Sequence, residues 1–136
     1  MWPAKGYSCE DVNEGSMVIL ASKGDFDALL CGDATGETER HIIKSVAGAM
    51  RGNLEFLSVS HHGSNSASDA GFLKALAPRT AVVSAGINNR YGHPHKEVLK
   101  RFRQYTPKTV LLRTDKSGAV SVAPSGRRIR ISVFRR

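Results

Sequence analysis

Hydrophobic and polar positions along the chain switch between a strand period and a helix period, and the switches predict the elements. Ser16 to Ala21 (SMVILA) is a continuous apolar run of strand length. Ser22 to Asp25 reads as a turn, and Phe26 to Cys31 (FDALLC) returns, so the pair predicts a hairpin. From Thr38 to Met50 the period becomes helical, with Ile42, Ile43, Val46 and Met50 on one side and Glu39, Arg40 and Lys44 elsewhere. Gly52-Asn53 stops that helix, and Leu54 to Val59 (LEFLSV) predicts the next strand. Ser66 or Ser68 can cap a short helix, Asp69 to Ala77, that buries Phe72, Leu73 and Leu76. Thr80 to Ala85 (TAVVSA) is a further buried strand. Pro94 suits the first position of a helix reaching Tyr105, with Val98, Leu99, Phe102 and Tyr105 on its apolar face. Thr109 to Arg113 is a strand, Asp115 to Gly118 a turn, and Ala119 to Ala123 another strand. Arg128 to Phe134 (RIRISVF) alternates basic with apolar, as a half-exposed edge strand does. The order ββαβαβαβββ predicts an α/β layered domain with helices on one face of a mixed sheet.

Residues 1–15 show no sustained period and read as a lead-in; residues 16–123 form the body, and 124–136 a basic C-terminal strand or tail. At 136 residues the chain is one domain, and 40% hydrophobic with 24% charged residues is ordinary for a soluble globular protein. No apolar run approaches the ~20 residues of a membrane helix, and the N-terminus lacks an apolar signal segment. Cys9 and Cys31 have no CxxC or zinc-ribbon spacing, so reduced, structural thiols are expected.

Charge changes this picture. Residues 1–95 carry 8 Lys/Arg and 10 Asp/Glu, whereas residues 96–136 carry 12 Lys/Arg and only 2 Asp/Glu. The net +8 is therefore a near-neutral body with a strongly basic last third. Lys96, Lys100, Arg101 and Arg103 form the polar face of the predicted Pro94–Tyr105 helix, and Arg127, Arg128, Arg130, Arg135 and Arg136 follow in the tail. Such a region is either a solvated surface or a grip on a polyanion, most simply the phosphates of nucleic acid.

Three predicted strand ends carry the residues with chemistry. The loop beyond a strand's carboxyl end is where an open α/β sheet usually binds ligands. Gly32-Asp33 ends the second strand, where a carboxylate suits a metal and the glycine suits a plain turn. His61-His62-Gly63-Ser64 ends the third, as either a metal or phosphate site or an exposed polar turn. Asn88 to His95 ends the fourth, gathering two amides, Arg90, Tyr91 and two histidines; His93 is either a cleft residue or a helix cap. His41, beside the apolar stripe of its helix, reads as a surface or packing residue.

In this order and spacing the three strand ends resemble the second half of a metallo-β-lactamase-fold domain. The similar version stands at the end of bacterial competence proteins that carry DNA across the inner membrane. The resemblance runs from about Asn13 to Val122, and Asn13-x-x-Ser16, Thr114-Asp115 and Gly118 also fit it. It implies the second βα half of an αββα sandwich and a centre of divalent metal, zinc or manganese, acting on DNA or another phosphodiester. By the same resemblance Asp33 is the bridging and catalytic carboxylate and His62 a metal ligand. His61 would face the substrate as proton donor or phosphate contact, with Ser64, Asn89, Arg90 and His93 lining the cleft.

The resemblance also shows what is missing. The family's other ligands come from an earlier HxHxDH motif, and this sequence has none; its only HxH, His93-Pro94-His95, runs on into Lys96-Glu97. Asp33 and His62 are too few for a closed site, since zinc takes three or four protein ligands. The chain is thus expected to be a truncated half, inactive by itself. Either the missing half comes from another chain, or this is a remnant or truncated product without catalysis; self-association, as a homodimer using the apolar sheet face left open, is also expected. Three functions follow: a metal-dependent phosphodiesterase or nuclease, a non-catalytic nucleic-acid-binding module with a vestigial site, or a hydrolase of a small phosphate or ester.

Overall fold

In the computed structural model, every residue is described except Met1, Arg51, Gly126, Arg127 and Arg136, with Arg128 described by its backbone only. Strands β1 (Ile19–Lys23) and β2 (Phe26–Leu30) form the expected antiparallel hairpin. Strands β3 (Phe56–Ser58), β4 (Thr80–Val83) and β5 (Val110–Arg113) then add in parallel, giving one mixed sheet in the order β1-β2-β3-β4-β5. The crossovers are α1 (Gly36–Ala49), α2 (Ala70–Leu76) and α3 (Lys96–Tyr105). Parallel neighbours joined in sequence by right-handed crossovers put every helix on the same face. The contacts of α1 with α2 and of α2 with α3 agree with this.

The helix-covered face holds the core. Leu29, Leu57 and Ala81 sit side by side in register, and Ile42, Val46, Phe72, Leu73, Leu76, Val98 and Phe102 close over them. On the opposite face, Leu30, Ser58, Val82 and Leu112 form one row across the strands, and Ala28, Phe56, Thr80 and Val110 another. None of the three crossover helices covers these rows. Leu30 and Val110 are 42% and 49% exposed there, while Thr80 and Val82 at the centre are buried.

The structure corrects several sequence expectations. β1 begins three residues later than the apolar run and uses Ser22 and Lys23, because Ser22 and Lys23 pair with Asp27 and Phe26 and leave only Gly24-Asp25 as the turn. Asp69, not Ser66 or Ser68, caps α2, its carboxylate accepting from the Phe72 N–H. Pro94 precedes α3 instead of opening it; His95 is the N-cap residue. Asp115 lies in a short helical turn, α4 (Thr114–Ser117), instead of an open turn. Strands β6 (Ala119–Ser125) and β7 (Arg128–Phe134) pair only with each other as a two-stranded ribbon, so β7 is not an edge of the main sheet. β6 crosses the position 123/124 where the sequence suggested a boundary. Glu39, placed off the apolar face of its helix by the sequence pattern, has no exposed surface.

The lead-in is anchored by one residue. Trp2 bridges backbone to backbone with Val18, donates its ring N–H to the Glu14 carbonyl at 2.7 Å and stacks on His41. His41 is thus a packing residue. Cys9 is exposed and Cys31 buried, both as free thiols. No helix among the described residues is long and apolar enough to cross a membrane.

Candidate metal centre

The carboxyl ends of β2, β3 and β4 lie side by side because these strands are consecutive and parallel. Beyond β2, Gly32 takes a φ of +51°, and a Cβ there would stand 2.9 Å from Ser16 Oγ. The same hydroxyl accepts the Asp33 N–H at 3.0 Å, so Ser16 sets where the carboxylate begins. The His61 N–H donates to the Gly32 carbonyl at 2.9 Å and ties this loop to the next.

Beyond β3 the backbone does something costly. His61, His62 and Gly63 have φ of 48°, 55° and 79°, three consecutive residues in the left-handed region. For a side-chain-bearing residue that conformation costs on the order of 1–2 kcal/mol, and such outliers concentrate at functional sites. Gly63 is required twice over. Its φ favours glycine, and an added Cβ would meet Pro94 Cβ at 2.6 Å. The His95 N–H then donates to the Gly63 carbonyl at 3.0 Å, locking the turn against the start of α3.

This turn aims one ring at Asp33. His62 Nδ1 lies 2.7 Å from the Ser84 carbonyl oxygen, which can only accept, so Nδ1 carries the proton. Nε2 is left facing Asp33 Oδ1 at 3.1 Å. A lone pair and a carboxylate this close call for a proton or a cation between them. The Ser84 carbonyl is itself held in place. Thr114 Oγ1 accepts the Ala85 N–H at 2.8 Å and donates to the Ala85 carbonyl at 2.8 Å. Fixing a ligand histidine through its second nitrogen is how metal sites set tautomer and direction.

The β4 loop closes the cleft. Asn89 points back into its own loop, donating to the Gly86 and His93 carbonyls and accepting the His93 N–H at 2.9 Å, so it braces the wall. The His93 ring is 5.9 Å from that of His61 and 4.8 Å from that of His95. Burial, and next the neighbouring His95, His61 and His62, hold its pKa below the ordinary histidine value. Arg90 is exposed and donates to the Tyr91 hydroxyl at 2.6 Å. His62, Ser84, Asn89, Tyr91 and His93 border a cavity of about 250 Å³. Ser64 is half-buried, its hydroxyl 3.1 Å from that of Ser66, which lies 3.4 Å from His61 Nδ1. His95 accepts the Asn65 N–H on Nδ1 at 2.9 Å.

The donor set can be tested against a metal. Two ligands at about 2.0–2.1 Å and a tetrahedral angle stand roughly 3.3 Å apart, close to the Asp33–His62 separation of 3.1 Å. Among the described residues, however, no group of three or more His, Cys, Asp or Glu is placed to hold an ion. Asp33 and His62 fit as part of a ligand set and do not complete one.

Lys96, Lys100 and Arg103 are exposed on α3, and Arg130 and Arg135 are exposed on or beside β7. Arg101 is half-buried and bonds the Asn65 backbone carbonyl and side-chain oxygen at 3.2 and 2.9 Å, which commits it to the site loop. Arg127 and Arg136 lie outside the described residues, as does the Arg128 side chain. Sequence reasoning missed the supporting groups: the Ser84 carbonyl, whose role no side chain announces, and Glu39, a carboxylate on the apolar stripe three and seven residues before Ile42 and Val46.

No protein-family model matches the chain. It is 33% identical over 122 residues to ComE operon protein 3 of Bacillus subtilis (strain 168), covering 90% of this chain and 15% of that protein. It is 40% identical over 112 residues to Competence protein ComA of Neisseria gonorrhoeae, covering 81% of this chain and 15% of that one. Recombination protein 2 of Haemophilus influenzae is 33% identical over 110 residues, with 81% and 13% covered. The homologues are competence proteins, and this chain corresponds to about a seventh of their length.

Proposed function

We propose that this chain is one half of a metal-dependent phosphodiesterase of nuclease type, with the metallo-β-lactamase fold, serving DNA uptake. The observation that carries this reading is the Asp33–His62 pair at the ends of adjacent parallel strands, with the His62 tautomer fixed from behind. A divalent ion, zinc or manganese, would acidify a water and polarise a phosphoryl oxygen there. Asp33 Oδ1 and His62 Nε2 would hold it. Ser84 keeps the His62 ring from turning. His61, on the cleft side beside His93, is placed to contact a phosphate or pass a proton. Asn89 keeps His93 in the wall, and Arg90 and Ser64 flank the opening. The remaining ligands come, in this reading, from a separate segment or chain that covers the exposed Leu30–Val110 face; a second copy of the chain is the competing occupant. The test is hydrolysis of a labelled oligonucleotide with added manganese or zinc. The isolated chain is expected to be inactive. Adding a segment that carries HxHxDH is expected to restore cleavage that depends on Asp33 and His62. Cleavage that survives Asp33→Asn and His62→Ala would sink the assignment.

A second reading, a non-catalytic nucleic-acid-binding module, is favoured by the exposed cations of α3 and β7. Exposed Lys96, Lys100 and Arg103 would grip phosphates without sequence preference, together with Arg130 and the rest of the tail. Fluorescence anisotropy with a labelled oligonucleotide decides this. Binding should weaken by roughly 0.7–0.9 log units per contact per decade of salt, and deleting residues 124–136 should remove much of it. Binding absent at low salt leaves the basic third as a solubility feature.

A further inference from the structure

Glu39 sits in the first turn of α1 with no exposed surface, on the stripe that otherwise buries Ile42 and Val46. A buried carboxylate at a core position is costly unless its oxygens are fully used. Here they are. Oε1 accepts the Ser60 hydroxyl at 2.7 Å and the Ser68 N–H at 2.9 Å, and Oε2 accepts the Asp69 N–H at 2.9 Å. Ser60 directly precedes His61, and Ser68, itself at φ +58°, closes the same segment. One side chain therefore clamps both ends of the stretch from Ser60 to Asp69, and between the clamps lie the three consecutive left-handed residues. Among the described residues no cation pairs with Glu39, and burial pushes its carboxyl above the ordinary range.

We infer that Glu39 is the positioning residue of the His61–His62 turn, acting as a three-donor acceptor clamp that holds the strained backbone and so aims His62 Nε2 at Asp33. All three groups around it are donors. A carboxylate offers only acceptors, whereas an amide of the same shape must turn an NH2 toward one of the N–H groups. Other ties run from His61 to Gly32, from His95 to Gly63, from Asn65 to His95, from Arg101 to Asn65 and from Gly36 to the Ser66 carbonyl, and Arg40 pairs with Asp69 at 3.6 Å; Glu39 is the side chain that bonds both ends of the segment at once. This inference rests on the proposed metal centre only in calling the turn functional; the arrangement itself can be tested without activity or metal.

The test is the tautomer of His62 in the labelled full chain, read from long-range ¹⁵N–¹H spectra of the imidazole rings. At a pH high enough for the ring to be neutral, wild-type His62 is expected to keep its proton on Nδ1, against the Ser84 carbonyl. In Glu39→Gln the preference for that tautomer should fall by about tenfold or more, the equivalent of one charge-assisted hydrogen bond. Ser60→Ala, which removes one donor, should move it in the same direction by less. Val46→Ala on the same helix is the structural control: it should lower the melting temperature and leave the His62 tautomer unchanged. If Glu39→Gln does not fold, Ser60→Ala decides. A wild-type His62 tautomer in both loop variants, or an equal change in Val46→Ala, overturns the inference. A failure of metal-dependent hydrolysis would leave this result untouched, so the two claims fail separately.

Discussion

The two faces of the five-stranded sheet are cut from the same strands and end differently. On one, Leu29, Leu57 and Ala81 lie under three helices and have almost no contact with water. On the other, Leu30 and Val110 remain 42% and 49% exposed, with half-buried Phe56 and Leu112 between them. The first face is a finished layer whose stability the chain supplies by itself. The second leaves apolar side chains exposed at its margins, with Ala28, Thr80 and Val82 buried nearer its centre, and no crossover helix lies over it. The candidate site repeats the contrast: Ser16, Ser84, Thr114 and Glu39 back it, while among the described residues no group of three or more His, Cys, Asp or Glu is placed to hold an ion. Under the proposed function, both differences are explained by a layer that a separate segment or chain supplies.

Substitutions should break this contrast unequally. Leu57→Ala on the finished face is expected to cost about 2–5 kcal/mol in denaturant unfolding, the usual range for a buried leucine. A loss below ~1 kcal/mol would mean that the helix layer is not the core described here.

Gly63→Ala comes next. It imposes both a left-handed φ on a Cβ-bearing residue and a contact at 2.6 Å with Pro94, so about 2–3 kcal/mol should be lost. The His62 ring should leave Asp33 at the same time. Wild-type stability here would show that the turn relaxes freely.

Leu57 and Gly63 differ in how far the sequence announces their roles. The helices were legible because Ile42/Val46 and Val98/Phe102 repeat at helical spacing, and the strands because short apolar runs, such as Phe26–Cys31 before Gly32 and Thr80–Ala85 before Gly86, are bounded by turn residues. The strand-end residues were legible as chemistry because three loops carried His, Asp and Asn together. The supports were not. A hydroxyl such as Thr114 and a backbone carbonyl such as that of Ser84 have no pattern of their own, and their partners lie about thirty and twenty residues away. Glu39 was hidden differently: polar residues in a helix are read as solvent-facing, and only the three converging donors explain a carboxylate on the core stripe. The bounds of β1 and the partner of β7 were missed because pairing, not composition, sets them.

Asp115→Asn should have a smaller effect. The Arg113 guanidinium grips Asp115 through two bonds, of 3.0 and 2.6 Å, and holds its carboxyl below the ordinary value of 3.8. A depressed carboxylate stabilises the fold above its ordinary pKa and loses that contribution as pH falls through the lowered one. The variant should therefore be less stable by about 1–2 kcal/mol near neutral pH, with the gap closing in strong acid. Unfolding midpoints at the two pH values measure this, and a gap that widens in acid would reverse the sign.

The open face should give the smallest stability change and the clearest change in association. Leu30→Ser with Val110→Ser is expected to shift unfolding by no more than about 1 kcal/mol, since both side chains are already partly in water. Light scattering at high concentration should show self-association in the wild type and less of it in the double variant. A wild type that stays monomeric at every concentration would mean the face needs no cover.

In the proposed function, Asp33 and His62 are the local share of a larger metal site. Calorimetric titration of the chain with zinc, alongside Asp33→Asn and His62→Ala, tests it most directly. One weak site is expected, with a Kd above about 1 μM, short of the ~10–16 kcal/mol of a complete structural zinc site. Both variants should abolish it, and chelation should barely move the melting temperature. Tight stoichiometric binding, or weak binding that survives in both variants, would contradict it.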